Sequence, residues 1–158
     1  MADHRQRRAA LLTLIPALAL AACGGISSGT AEKSADAIRA AGAKLPSDYS
    51  YVLTSTCGER PLLGTYEIVV AQGRAVSGTP VQAPDDVPAG VEYPTITTLL
   101  DNALGAGANA DVVFETDAAG LPARLSIDPD RNTSDDEECY RFTGITPGTR
   151  VPGRPSPG

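Results

Sequence analysis

Histidine is almost absent from this chain, and tryptophan is missing altogether. The single histidine is His4, close to the N terminus. Histidine is the usual general base near neutral pH, the base of nucleophilic triads and the commonest zinc ligand. We therefore expect no enzyme or zinc protein of those kinds. A pair of carboxylates could still catalyse acid–base hydrolysis, so a small hydrolase that uses carboxylates remains an alternative.

Positive charge is also scarce, since the 158 residues carry 13 basic and 19 acidic side chains and a net charge of −6. A nucleic-acid-binding protein needs a basic patch, so this composition predicts no nucleic-acid partner. It equally disfavours electrostatic docking on an anionic membrane. The one long apolar run covers residues 9–22 and contains Pro16. This run is shorter than the roughly 20 apolar residues that a membrane-spanning helix needs.

The N terminus has the layout of an export signal. The apolar run follows a basic start, made of His4, Arg5, Arg7 and Arg8, and it ends in Leu20-Ala21-Ala22-Cys23. This order is typical of a secretory signal, and a cysteine after two small residues resembles a bacterial lipobox. The pattern predicts a signal peptide over 1–22 and acyl chains of the palmitate kind on Cys23. It also predicts a flexible Gly/Ser tether over 23–30. An ordinary secretory signal cleaved near Ala22 is the alternative.

Two acyl chains meet the two-signal requirement for stable membrane anchoring. The prediction is therefore a protein on the extracytoplasmic face of the cell membrane, attached through Cys23. Two cysteines then remain, Cys57 and Cys139. Exported proteins fold in oxidising surroundings, so these two are predicted to form a disulfide bond. Two free thiols are the alternative.

Apolar periodicity predicts two helices and about six strands. The helices are a short one over 31–43 and the main, amphipathic one from Ile96 to Leu104, started by Pro94-Thr95. Tyr49, Tyr51 and Tyr66 stand at strand spacing and are most simply core residues. The predicted strands cover 48–54, 65–72, a short stretch around 75–76, 111–116, 123–127 and 137–143.

Short connections between most of these strands favour antiparallel pairing. The predicted fold class is α+β: a single antiparallel sheet of five to six strands with one main helix on a face, preceded by the short helix. Four prolines make residues 77–94 a predicted exposed loop. The predicted domain covers 31–143, and the Gly- and Pro-rich residues 144–158 are predicted to be a disordered tail.

An acidic stretch near the C terminus offers a weak candidate calcium site. Asp128, Asp130, Asn132 and Asp136 occupy positions 1, 3, 5 and 9 of a calcium-binding loop. The loop departs from the pattern where it needs glycine and a bidentate glutamate, since Thr133 and Cys139 stand there instead. A solvated acidic turn is the alternative interpretation. No other cofactor is predicted.

Four stretches carry a family resemblance: 48–60, 94–100, 120–128 and 135–140. Their order and spacing resemble an uncharacterised family of bacterial lipoproteins, the domain of unknown function numbered sixty-one seventy-four. The resemblance spans about residues 48–142. It implies an exported lipoprotein domain and supplies no catalytic residues.

These observations predict a membrane-anchored lipoprotein that is a non-enzymatic binding or interaction module with an unknown protein or small-molecule partner. The carboxylate hydrolase and a calcium-stabilised structural domain are the alternatives. A deep cleft with two converging acidic side chains would favour the hydrolase. A flat sheet face or an acidic patch would favour binding.

Overall fold

The computed structural model describes residues 28–58, 61–82, 90–133 and 135–148. The predicted signal peptide, the acylation site Cys23 and the tether up to residue 27 lie outside the described residues. Neither described helix combines the length and the apolar character needed to cross a bilayer.

The described chain forms two helices and one six-stranded sheet. All five pairs of neighbouring strands are antiparallel, in the order β3-β2-β1-β6-β5-β4. The predicted α+β fold is confirmed. In chain order the elements are α1 (Ser28–Gly42), β1 (Tyr49–Ser55), β2 (Gly64–Ala71), β3 (Arg74–Gln82), α2 (Ile96–Gly105), β4 (Asp111–Thr116), β5 (Pro122–Asp128) and β6 (Glu138–Pro147).

One face of the sheet is buried and holds the core. Alternate residues of β1 and β2 point to this face, because side chains alternate across a strand. Their apolar and aromatic side chains are fully covered: Tyr49, Tyr51, Leu53, Tyr66, Ile68 and Val70. Burying one large apolar side chain contributes roughly 1.5–3 kcal/mol, so this face supplies most of the driving force for folding.

Helix α2 crosses the covered face, since it follows one edge strand, β3, and precedes the other, β4. The Thr95 side chain accepts a hydrogen bond from the backbone N–H of Thr98, which caps the start of the helix. The apolar side of α2 is buried at Ile96, Leu99, Leu100 and Ala103, as predicted.

Helix α1 lies against α2 and the β4–β5 hairpin. It buries Ile38 and Ala41. It begins at Ser28, so the last residues of the predicted tether, 28–30, belong to the helix. The tether prediction was wrong there.

The third strand is longer than predicted. Strand β3 runs to Gln82, so the expected exposed loop was wrong over residues 77–82. Pro80 misled the prediction because proline cannot donate a backbone hydrogen bond. On an edge strand such as β3, proline needs no partner on its free side. A turn at Gln72-Gly73, both with positive φ, connects β2 to β3.

The last strand also extends beyond its predicted end. Strand β6 continues from Glu138 to Pro147, so residues 144–147 are not a disordered tail. Ile145 packs against the core. The predicted domain boundary at 143 therefore falls within a strand. The predicted tail after Gly148, residues 149–158, lies outside the described residues.

Candidate functional site

A cleft of about 250 Å³ opens at one end of the covered sheet face. We call it the Ser55 cleft. Its walls come from the ends of β1 and β6, the β1–β2 connection, the segment before α2, and α2 itself. The lining residues are Leu53, Ser55, Pro61, Leu62, Val91, Glu92, Pro94, Leu99, Asn102, Glu138 and Tyr140.

The most deeply buried part of this lining is almost entirely apolar or aromatic. Leu53, Leu99 and Tyr140 are buried in the sheet and helix core. Leu62, Val91 and Pro94 are half-buried, whereas Pro61, Glu92 and Asn102 are exposed at the rim. The cleft is therefore apolar at its base and polar at its opening, as small-molecule sites commonly are.

Ser55 is the polar exception at the base. It is 3 % exposed, and its Oγ is buried without a hydrogen-bond partner in the described part of the chain. The backbone of Ser55 is part of the sheet, opposite Gly64 on one side and Tyr140 on the other. An unsatisfied buried hydroxyl costs about 1–3 kcal/mol, and such groups are uncommon in native proteins. This group therefore calls for an explanation.

Two carboxylates also belong to the cleft. Glu138 lies at the start of β6, and its Oε2 accepts a hydrogen bond of 2.8 Å from the Tyr140 hydroxyl. Glu92 lies on the exposed segment before α2. The cleft lining thus includes two acidic side chains, one held by a tyrosine and one at the rim.

A disulfide bond between Cys57 and Cys139 closes this end of the sheet, as predicted. Cys57 follows Ser55 by two residues, and Cys139 directly follows Glu138. The bond joins residues 82 positions apart, with their Cα atoms 5.3 Å from each other. It therefore fixes the end of β1, which bears Ser55, to the start of β6, which bears Glu138.

The tyrosine hydroxyls of β1 and β2 on the covered face are all engaged. Tyr49 accepts a hydrogen bond from the backbone N–H of Ile96, and Tyr51 donates to the carbonyl of Pro94. Tyr66 donates to the carbonyl of Leu63. Burial raises the pKa of all three tyrosines, since a phenolate would lose its hydration there. The prediction that they are core residues is confirmed.

The candidate calcium ligands lie at the end of β5 and in the β5–β6 connection. Asp130 accepts hydrogen bonds from the backbone N–H and the side-chain amide of Asn132. These bonds, first the backbone one, lower the pKa of the Asp130 carboxyl. Asp130 and Asn132 thus form a local turn with each other.

Asp128 and Asp136 each keep one buried carboxylate oxygen without a hydrogen-bond partner. The described ranges nevertheless contain no group of three or more acidic, cysteine or histidine side chains placed to hold a metal. The calcium site stays a prediction, and the structure adds no support for it.

Comparison with known families identifies the family of this chain. A family model described as a family of unknown function, DUF6174, matches residues 41–147. The chain belongs to the DUF6174 family. The match runs from the end of α1 to the end of β6, so it contains the whole sheet, α2 and the Ser55 cleft. No curated protein and no solved structure matches the chain.

The DUF6174 resemblance in the sequence was therefore correct, but the cleft residues were missed. A signal for Ser55 was present. Tyr49, Tyr51 and Leu53 alternate on the buried face of β1, and the next position with the same parity is 55. A serine at a position that the pattern buries is the feature that could have drawn attention to this end of the sheet.

Proposed function

We propose that this DUF6174 protein is a lipid-anchored extracytoplasmic binding module that takes a small ligand in the Ser55 cleft. The observation that carries the proposal is the buried, unpartnered Ser55 hydroxyl at the base of an apolar cleft. Its cost of about 1–3 kcal/mol is recovered if a ligand supplies the missing hydrogen bond.

The size and lining of the cleft support small-molecule binding. Ligand pockets have volumes of about 300–1,000 Å³ and are mostly apolar with a few placed polar groups. At about 250 Å³, the Ser55 cleft lies just below that range, so its ligand would be small. The disulfide beside it keeps the walls in place without a ligand, which lowers the ordering cost of binding.

Binding is favoured over nucleophilic catalysis by the surroundings of Ser55. A catalytic serine needs a base within hydrogen-bond reach of its Oγ. Within the described residues Ser55 Oγ has no hydrogen-bond partner, so no base activates it there.

The lipobox-like segment and the disulfide support the proposed location. Disulfides persist in oxidising compartments, which is where a lipid-anchored exported protein would fold. Anchoring through Cys23 would hold the binding domain near the membrane and raise its effective concentration there.

Metabolic labelling with palmitate tests the anchor. Cells producing the full chain should incorporate label into the protein, whereas Cys23→Ala should abolish both the label and recovery in the membrane fraction. Unlabelled wild-type protein, or label retained by Cys23→Ala, would contradict the anchor.

A matched pair of tryptophan variants tests the cleft. Asn102→Trp places a large ring at the rim, whereas Asn109→Trp adds the same ring at an exposed position outside the cleft. In a ligand-observed NMR screen of small molecules, Asn102→Trp should lose the compounds that wild type and Asn109→Trp both bind. Equal binding by all three proteins would remove the cleft from the proposal.

A carboxylate hydrolase is the second candidate, and the presence of Glu92 and Glu138 in one cleft favours it. A pair of carboxyl groups can act as acid and base or as acid and nucleophile. Hydrolysis of nitrophenyl glycosides by wild type that falls at least about 100-fold in both Glu92→Gln and Glu138→Gln would establish this candidate. No hydrolysis by wild type would leave binding as the role of the cleft.

A further inference from the structure

We infer that the ligand of the Ser55 cleft is an uncharged amphiphile, with a compact apolar body and one hydroxyl or carbonyl group that bonds to Ser55. The inference rests on the proposed binding function and specifies its ligand.

The apolar body follows from the walls. Leu53, Leu62 and Leu99 face the same cavity from β1, the β1–β2 connection and α2. Apolar cavities of about 150 Å³ accept a benzene ring, so the 250 Å³ cleft has room for a ring with a short polar substituent. Apolar surface buried here contributes about 25 cal/mol per Å².

The hydrogen-bonding group follows from Ser55. A serine hydroxyl is both a donor and an acceptor, so it can bond to either a ligand hydroxyl or a ligand carbonyl. Ser55 Oγ is buried in the structure, and a change of the serine χ1 rotamer is the ordinary way for it to become accessible to a ligand in the cleft. Tyr49 and Tyr51 could not serve in its place, because their hydroxyls hold the start of α2.

The absence of charge on the ligand follows from the base of the cleft. Leu53, Ser55, Leu99 and Tyr140 form its buried part and contribute no charged side chain. An anionic ligand group would lose its hydration there without a cationic partner. A cationic group would meet the half-buried Glu138 carboxylate, but burying such a pair does not repay the lost hydration of both ions. An anion would also meet the Glu92 carboxylate at the rim and a chain of net charge −6.

Four probes that share one ring test this inference: benzyl alcohol, toluene, benzylammonium and benzoate. Each is titrated into the ¹⁵N-labelled full chain, purified without detergent so that no detergent occupies the cleft. Amide shifts of the lining residues report binding. Benzyl alcohol should bind about 3- to 10-fold more tightly than toluene, the worth of one hydrogen bond. Both ions should bind more weakly than toluene.

Variants then assign the preference to Ser55. Ser55→Ala should remove the advantage of benzyl alcohol over toluene and leave toluene binding in place. Ser50→Ala is the matched control, because Ser50 lies on the same strand with its side chain on the opposite face. It should keep the wild-type order of affinities.

The other outcomes separate the two claims. If toluene and benzyl alcohol shift the lining amides equally, or if an ion binds best, the cleft binds ligands but the inference about their class is overturned. A preference for benzyl alcohol that survives Ser55→Ala overturns the role of Ser55. If none of the four probes shifts the lining amides, the proposed binding function fails together with the inference.

Discussion

The two ends of strand β1 handle buried hydroxyl groups in opposite ways. At the start, Tyr49 and Tyr51 are each 1 % exposed, and both hydroxyls bond to backbone groups at the start of α2. At the end, Ser55 is 3 % exposed and its hydroxyl bonds to nothing in the described chain. All three side chains lie on the same face of the same strand.

The two ends of β1 thus differ in whether the fold itself satisfies the buried polar groups. Two satisfied tyrosines attach α2 to the sheet, so their polar groups serve the structure. The unsatisfied serine lies where α2 and the segment before it leave a cleft. A buried polar group without a partner weakens the fold, and it suits a site that acquires its partner from outside.

Removing the disulfide bond should change the stability of the protein more than any other substitution considered for β1. Replacing both Cys57 and Cys139 by serine should lower the free energy of unfolding by about 4 kcal/mol, because the bond closes a long loop of the unfolded chain. Hydrogen exchange should accelerate more at Ser55 than at Tyr49, since the bond lies beside the cleft. Denaturant titration of the wild type with and without reductant provides the control. A loss below about 1 kcal/mol would contradict the expected role of the bond.

Removing a tyrosine hydroxyl should damage the satisfied end. Tyr51→Phe leaves the Pro94 carbonyl without its donor, which should cost about 1–3 kcal/mol of unfolding free energy. Tyr93→Phe is the matched control, because the described residues offer its hydroxyl no hydrogen-bond partner, and it should change stability little. Equal midpoints for the two variants in urea would show that the Tyr51 bond is unimportant.

Alkaline pH should weaken the tyrosine contacts at the start of β1 without any mutation. Burial raises the pKa of Tyr51 and Tyr49 in the folded protein, whereas the unfolded chain ionises tyrosine near pH 10. Their contribution is thus intact below about pH 10 and is lost as the pH rises above it, by up to about 1.4 kcal/mol per tyrosine per pH unit. Urea midpoints measured between pH 8 and pH 11 follow this loss. Tyr51→Phe should show a shallower decline, and an identical decline would contradict the assignment.

Removing the serine hydroxyl should change the free energy of unfolding in the opposite direction. Ser55→Ala deletes a buried group that has no partner, so it should raise the free energy of unfolding by about 1 kcal/mol. Thermal unfolding of Ser55→Ala and Ser50→Ala, compared with wild type, measures the change. A loss of stability in Ser55→Ala alone would mean that the hydroxyl already has a partner. The two ends of β1 would then not differ in how their hydroxyls are satisfied.

A surface ion pair away from both ends should matter least. Glu115 and Arg124 face each other across the β4–β5 hairpin at 3.8 Å, and both side chains are more than half exposed. Glu115→Gln should therefore change the unfolding free energy by less than about 0.5 kcal/mol. A change as large as that of Tyr51→Phe would contradict the expectation that an exposed ion pair contributes less to the free energy of unfolding than a buried hydroxyl group.

Much of the fold could be predicted because its signals are local. The apolar face from Ile96 to Ala103 and the alternation in β1 each occur within one element. The disulfide could be predicted by counting cysteines. It also implied that the end of β1 lies beside the start of β6, which is the central pairing of the sheet.

What could not be predicted depends on position in the sheet and on contacts between distant segments. Pro80 reads as a strand breaker, and only the edge position of β3 makes it acceptable. The Ser55 cleft is formed by five separate segments, so no single stretch of sequence predicts it. Alternation alone could have shown that Ser55 is buried, but not that a cleft lies beside it.

Chemical-shift mapping tests directly whether ligands bind in the Ser55 cleft or on the uncovered face of the sheet. A small-molecule extract of the source cells is added to the ¹⁵N-labelled full chain, and the shifted amides are mapped. We expect shifts confined to the cleft, at Ser55, Leu62, Leu99 and Asn102. Shifts centred on the opposite face, at Thr54, Glu67 and Arg141, would contradict the claim, and so would a spectrum that the extract leaves unchanged.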